Sequence, residues 1–341
     1  MITANNMIPV GFVLGESNFE VELMQALANQ TRKYNTAVAT SVTDYSLAPI
    51  VLADAILASG CDVTQVCAVP NVLKNTRLQM QEACKICITD LSDGAAVVYG
   101  IDKNDPEPNA TLDAAKSKEQ SLRLAYSMMK TYWLGNPAYI AADLRNAALL
   151  PAYKKDLGQW GKILASTPNT VTITENAGTT AVDQKVSYNG VLNYINDMVD
   201  NKQSISLMMV DNSQKNIWIT SEMFDTVQTQ REANALAGIR FVPIENEFGN
   251  FDSFVYRDIQ VIKYEHFTAA IRDLSVVNAG TIKLPNRMVL TVGLPTLSFP
   301  VPTEGTFKTE YNAATRAYTA STLATILHPE AVAGDYYVVA Y

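Results

Sequence analysis

The chain has 341 residues, of which 48% are hydrophobic and 18% charged, and its formal net charge is −8. That length suffices for two domains at ~150 residues each, and the charged share lies below the ~25% usual for soluble domains, which points to surface buried against other chains, first of all copies of itself. The acidic balance argues against a protein that grips nucleic acid through clustered Lys and Arg, though not against a container that should hold such contents weakly, and no run of ~18 apolar residues offers a membrane span.

The N-terminal stretch has no basic region ahead of an apolar core, so no secretory signal is read there. Residues 1–15 read as an extended arm. Ser17-Asn18-Phe19-Glu20 matches a capping box, and a helical pattern follows to about Tyr34. Residues 36–48 look irregular, and 49–59 (PIVLADAILAS) predict a short helix closed by Gly60. Asp62–Val69 alternates β-branched and polar residues, Leu73–Met80 continues with mixed polarity, and Ala95–Tyr99 is a strand candidate. Two extended runs joined near Pro70-Asn71 predict a long hairpin.

The longest uninterrupted element is Thr111–Leu134, built of strong helix formers with no Gly or Pro. Thr111 is its expected cap and Asp113 suits its positive end. Leu122, Tyr126, Met129 and Trp133 are spaced to form one apolar face, and Gly135-Asn136-Pro137 should end the helix through a left-handed cap residue.

Beyond it, helices are expected over Tyr139–Leu149 and Ala152–Ala165, and a strand over Thr170–Thr174. A helix over Val186–Val199 and a buried strand over Ile205–Val210 follow. Next come a strand over Ile217–Thr220 and a Ser221-capped helix to Ala237. Ile239–Ile244 precedes a loop, Val255–Tyr264 is largely extended, Glu265–Leu274 is helical, and Arg287–Val292 is a strand. The tail offers a helix over Asn312–Leu327 and a final strand over Tyr336–Tyr341. The mixture predicts an α+β chain of two interleaved domains.

Residues capable of chemistry are few. His266 and His328 are the only histidines, and neither has a second His at ligand spacing. Cys61, Cys67, Cys84 and Cys87 follow the pattern C-x5-C-x16-C-x2-C, one loose pair and one tight pair where a zinc ribbon wants two tight ones. Plain buried thiols are the favoured reading, ahead of structural zinc or redox, and four cysteines in so long a chain indicate a reducing compartment. Asp90 and Asp93, and Asp102, Asp105 and Glu107, read as solvated turns without calcium-loop spacing. Glu245, Glu247 and Asp252 could be paired carboxylates of a sugar-cleaving site, yet no pattern brings them together. Gly11 and Gly15 make no phosphate loop. No catalytic, cofactor-binding or metal-binding residue is assigned.

The order of elements resembles the major capsid proteins of tailed phages, the shell fold shared with herpesviruses and encapsulins. Three stretches carry the likeness. The first is the hairpin at Asp62–Val98 ahead of the Thr111–Leu134 helix. The second is the strand–helix run from Asn216-Ile-Trp-Ile-Thr-Ser-Glu-Met-Phe to Ala237-Gly-Ile-Arg-Phe-Val-Pro-Ile244. The third is Lys283-Leu-Pro-Asn-Arg-Met-Val-Leu-Thr-Val-Gly-Leu294. The likeness spans residues 60–300 by element order, with helical departures at 1–60 and 138–165. It implies an N-terminal arm with helices (1–60), an extended loop (61–100) and a peripheral domain with a spine helix (101–200). An axial domain (201–280) and a return strand with tail (281–341) complete it.

The function implied is a non-enzymatic major capsid protein that self-assembles through pentamers and hexamers into an icosahedral shell around phage DNA, touched without sequence specificity. Scaffolding, portal and decoration proteins are the implied further partners. The implied location is the virion, after assembly in the host cytoplasm. A tail tube or sheath subunit is the alternative, and an unrecognised enzyme or surface binding protein is a more remote one.

Overall fold

The computed structural model describes residues 19, 22–23, 25–26, 45–47, 72–104, 110–173, 186–233, 239–246, 249–275, 288–292, 301–328, 330 and 334–341. In chain order its strands are β1 (Tyr45–Leu47), β2 (Val72–Lys74), β3 (Thr76–Cys87), β4 (Asn169–Val171), β5 (Lys215–Ile219), β6 (Arg240–Phe241) and β7 (Ile244–Asn246). Then follow β8 (Gly249–Phe251), β9 (Ser253–Tyr256), β10 (Ile259–Lys263), β11 (Met288–Val292), β12 (Val301–Asn312), β13 (Ala317–His328) and β14 (Tyr337–Ala340).

The spine helix runs over Ala110–Leu134, as the sequence predicts to within a residue at its start. At ~1.5 Å per residue it is about 37 Å long. Its buried face is rotated from the expected one. Met129 and Trp133 are buried, but Leu122 and Tyr126 are exposed, and the helix instead buries Leu124, Ala125, Met128 and Tyr132. The rotation follows from what covers the helix. Its N-terminal half lies under a sheet whose backbone must be met by small or polar groups, so Ser117, Gln120 and Ser121 are buried there. The Gln120 amide donates to the Ala320 carbonyl at 3.1 Å.

That sheet has the order β12-β13-β3 and is antiparallel throughout. Its twelve-residue strands are each about 40 Å long, close to the length of the spine helix. On β3 the burial alternates strictly from Thr76 to Ile86, the signature of one face covered and one face open. The Asn312–Leu327 helix expected from Ala and Leu content is replaced by the end of β12, a turn, and β13. Two partner strands satisfy the β13 backbone, and Tyr318, Ala320, Thr322, Ala324 and Ile326 form the period-two buried set. Tertiary pairing overrides the helix propensity of alanine here. The expected hairpin bending at Pro70-Asn71 lies partly outside the described residues. Within them, β3 pairs with β13 and β2 pairs with β1, so neither finds its partner inside 61–100.

The second sheet is mixed and seven-stranded, in the order β4-β14-β11-β5-β10-β9-β6. Its strands feed two cores by alternation. Trp218, Ile262, Tyr337 and Val339 point to the spine, whereas Ile217, Ile219, Val261, Val338 and Ala340 point to the helices Tyr188–Asp200 and Ser221–Ala233. This buried, helix-covered sheet accounts for continuous apolar runs such as Ile217-Trp-Ile219 and Tyr337-Val-Val-Ala340. On the spine side an aromatic hub joins the layers. Trp133 and Trp218 each meet the Tyr264 ring edge-on at 5.2 Å, and the Trp133 indole N–H donates to the Tyr264 hydroxyl at 2.6 Å. The indole N–H is thereby satisfied in a site where leaving it bare would be costly.

Other expectations change locally. Ala95–Tyr99 belongs to a helix, Asp93–Tyr99, because the Ser92 hydroxyl caps the Ala95 amide and Gly100 closes it at φ 65°. Ile205–Val210 is not a strand; Ser204 caps a short helix over Ile205–Met208. The helices expected across 139–165 break into 3-10 turns and two short helices, Leu150–Tyr153 and Gln159–Ala165, with Pro151 at the start of the first and Gly158 capping the second. Of the N-terminal helix expected after Ser17, only residues 19, 22–23 and 25–26 are described, and they are helical. Phe19 stacks on Phe307 at 6.2 Å, and the Ser117 hydroxyl donates to Glu22 at 2.5 Å. The expected helix at 49–59 lies outside the described residues.

Gly135 ends the spine helix as expected, but not through a left-handed conformation; among the described glycines only Gly100 has positive φ. The reason for glycine is proximity. A Cβ at Gly135 would lie 2.5 Å from the Asp156 carbonyl oxygen, and one at Gly158 would lie 2.5 Å from the Trp133 carbonyl oxygen. The Gly158 amide donates to the Gly135 carbonyl at 2.7 Å, so two backbones cross in contact at the foot of the spine.

Candidate functional site

The residues singled out for chemistry are dispersed. His266 sits on the helix Glu265–Asp273, buried, with its ring edge-on to Tyr126 and Tyr264 at 6.0 Å each. Cys84 and Cys87 are both on β3, three residues apart, so their side chains leave opposite faces of the strand. They cannot converge on one metal ion or on each other, and the Cys84 sulfur accepts from the Gln120 amide at 3.2 Å. Cys61 and Cys67 lie outside the described residues. Asp93 is exposed and pairs with Lys103 at 2.7 Å, Asp90 accepts from the Thr89 hydroxyl, and Asp102 accepts from the Asn104 amide. Asp105 and Glu107 are not described.

Glu245 lies in β7, Glu247 is outside the described residues, and Asp252 faces Lys263 at 3.4 Å, which also holds Asp225 at 2.8 Å. Among the described residues, no group of three or more His, Cys, Asp and Glu is placed to hold a metal ion.

One polar cluster that the sequence does not announce is buried near that crossing. Asp156 precedes the helix carrying Lys162, His328 closes β13, and Glu330 follows it. The His328 Nδ1 lies 2.5 Å and the Lys162 Nζ 3.0 Å from the same Asp156 oxygen, and Glu330 is 3.4 Å from Lys162. The Tyr132 ring packs edge-on to His328 at 5.5 Å. Lys162 and His328 are buried, and the cleft beside His328 and Asp156 has room for about one water molecule. The cluster is a fastener between β13, the spine and the helix Gln159–Ala165.

Its electrostatics predict an acid response. Burial holds His328 below its ordinary pKa; the Asp156 hydrogen bond opposes that and the Lys162 charge adds to it. The neutral ring therefore donates from Nδ1 to Asp156. Burial alone would raise the Asp156 pKa, but His328 and Lys162 outweigh it and pull the carboxyl down to about 2. Both folded-state values lie below their unfolded ones, so both groups contribute stability that is present above the unfolded value and lost as pH falls. The His328 contribution begins to fade below about pH 6.5. That of Asp156, on the order of 2 kcal/mol, fades below about pH 4. Urea midpoints measured from pH 7.5 to 5 should fall, and His328→Gln should flatten that decline. A wild-type midpoint constant over this range would exclude the arrangement.

The two sheets, the spine between them and the hub at its foot constitute a frame rather than a pocket, and its overall path can be compared with known structures. A chain of the satellite phage P4 procapsid superposes with a TM-score of 0.51 at 9% identity, covering 96% of this chain and 92% of that one. The chain has a phage-capsid fold. The capsid of an empty GTA particle gives a TM-score of 0.49 at 8% identity over 92% and 89% of the two chains. The capsid of Myoviridae phage XM1 gives 0.47 at 8% identity over 89% and 88%. No protein-family model matches the sequence, and no curated protein matches it. Low identity over a shared path is consistent with a capsid fold held by buried periodicity rather than by particular side chains.

Proposed function

We propose that the chain is the major subunit of an icosahedral phage shell, assembling through pentamers and hexamers around packaged DNA. The observation that carries this reading is the superposition on a procapsid chain over nearly the whole of both chains. The architecture is consistent with it. A shell subunit needs a stiff frame, broad weakly charged faces and extensions that engage neighbours. Here the spine and the long antiparallel sheet supply the frame. The pairing of β1 with β2 brings the Leu47 and Val72 backbones side by side, and Thr76–Cys87 is paired along its whole length with β13. In this reading the helix-covered seven-stranded sheet belongs with the axial domain, and the spine with the hairpin β12–β13, of twelve residues per strand, belongs with the peripheral one.

Scaffolding, portal and decoration proteins are the expected partners, and the net charge of −8 suits a wall that does not bind DNA tightly. The virion is the proposed location, with assembly in the host cytoplasm. Electron microscopy of the purified protein, alone and with its companion scaffolding protein, tests the proposal. Closed shells or rings of five and six are expected. Helical tubes would indicate a tail subunit, and a strict monomer in both settings would sink the reading.

A further inference from the structure

The spine helix ends in two exposed apolar patches of opposite charge. At its N-terminal end the short helix Asp93–Tyr99 presses Ala96 onto Ile88, Ile101, Leu112 and Tyr318, a small core separate from the other two. The same helix turns Val97 and Val98 outward, 79% and 71% exposed. Around them Asp90, Asp93 and Asp102 are exposed, against Lys103, engaged by Asp93 and the Leu91 carbonyl, and Arg316, whose guanidinium donates to the Lys103 carbonyl at 2.8 Å. At the other end, about 37 Å away along the helix, the chain leaving Gly135 presents Ile140, 60% exposed. There Arg145, Lys154 and Lys155 are exposed, while the described acids beside them are half-buried and engaged: Asp143 by the Ile140 amide, Asp156 by Lys162 and His328, and Asp273 by Lys130 and the Tyr153 hydroxyl.

Adjacent valines this exposed have no role in the fold of their own helix, whose buried anchor is Ala96. Exposed apolar side chains with a charged surround mark contact surfaces. The charges assign the occupant: an acidic apolar knob at one end of a rigid rod matches a basic apolar foot at the other end of an identical rod. We propose that the Val97–Val98 knob of one copy docks on the Ile140–Lys154–Lys155 foot of a second copy. The contact is heterologous, so it closes into a ring when the rotation per copy is right. It rests on the reading of the chain as a shell subunit and specifies one contact within it.

The test uses the full chain and the critical concentration for assembly, read by sedimentation and microscopy. Four variants are compared with wild type. Val97→Asn/Val98→Asn removes the apolar knob. Asp90→Lys/Asp102→Lys reverses its charge and leaves the Asp93–Lys103 pair intact. Lys154→Glu/Lys155→Glu reverses the foot, and the fourth variant combines both reversals. Each double variant is expected to raise the critical concentration by about tenfold or more, and the combined reversal to restore it to within about threefold of wild type. Thermal melting of the unassembled subunits should be unchanged by the valine substitutions. A valine variant that assembles like wild type, or a combined reversal no better than its parents, overturns the contact while leaving the shell reading intact. So does a valine variant whose isolated subunit melts well below wild type, because its own chain would then be the cover. Wild type that never assembles overturns both.

Discussion

Met129→Asp should unfold the isolated subunit or leave it several kcal/mol less stable, while Lys118→Asp leaves its denaturation midpoint nearly unchanged. Both residues lie inside the spine helix, more than one turn from either end. Met129 is fully buried, in the core cluster that also contains Trp133, Phe267 and Ala270, and Lys118 is exposed. An aspartate at 129 has no described cation beside it in that core. It must be desolvated as an ion or protonated, and it also forfeits the packing of the methionine. Losses of roughly 3–5 kcal/mol follow from either route, a large share of the ~5–15 kcal/mol that holds a domain together. At 118 the same substitution remains in water and should cost no more than about 0.5 kcal/mol. Urea denaturation of both variants decides the matter. Comparable midpoints would remove the assignment of buried and exposed faces.

Gly158→Ala should be nearly as damaging, by a different mechanism. The added methyl group is small and apolar, but its carbon would stand 2.5 Å from the Trp133 carbonyl oxygen and 2.6 Å from the Gly135 amide nitrogen. Those are backbone atoms, and they cannot rotate aside as a side chain can. Relief requires the chain at 156–158 to lift away from the end of the spine. That movement breaks the Gly158–Gly135 hydrogen bond and strains the adjacent bond from the Asn136 amide to the Tyr153 carbonyl. It also pulls Asp156 from its place against Lys162 and His328. A loss of about 2–4 kcal/mol is expected, with the lower bound set by one broken bond and a displaced buried cluster. Gly94→Ala is the control, since a Cβ there meets nothing within 4 Å. In the exposed helix Asp93–Tyr99 it should be neutral or stabilising by up to about 1 kcal/mol. Equal effects at 158 and 94 would refute the backbone crossing.

The acid response of the Asp156 cluster and the spine variants probe the same junction from different sides. His328 closes the long sheet and packs edge-on against Tyr132 near the end of the spine, while Trp133 and Trp160, from the spine and from the helix after Gly158, both pack on Phe267.

Local patterns in the sequence were enough to locate, to within about two residues at each end, the spine Ala110–Leu134, the amphipathic helices Tyr188–Asp200 and Glu265–Asp273, and the strands Lys215–Ile219 and Met288–Val292. Each is long or strongly patterned, and the spine stops at Gly135 as its sequence indicates, whereas the Ser187 cap of the helix Tyr188–Asp200 is visible only in the structure. Tertiary structure decided the elements whose backbone partners are distant. β13 is rich in Ala and Leu yet forms a strand because β3, some 240 residues earlier in the Thr322–Glu82 pairing, and β12 occupy both its edges. The face of the spine was also a tertiary matter: periodicity placed an apolar stripe, but the close approach of a sheet backbone selected Ser117, Gln120 and Ser121 for burial and left Leu122 and Tyr126 outside. The same holds for the buried Lys162, which meets His328 from a segment more than a hundred residues away, and for Gly158, which meets Gly135 across several intervening turns and a short helix. Local propensity acts over one or two turns of chain, whereas burial and pairing are set by whichever distant backbone arrives alongside.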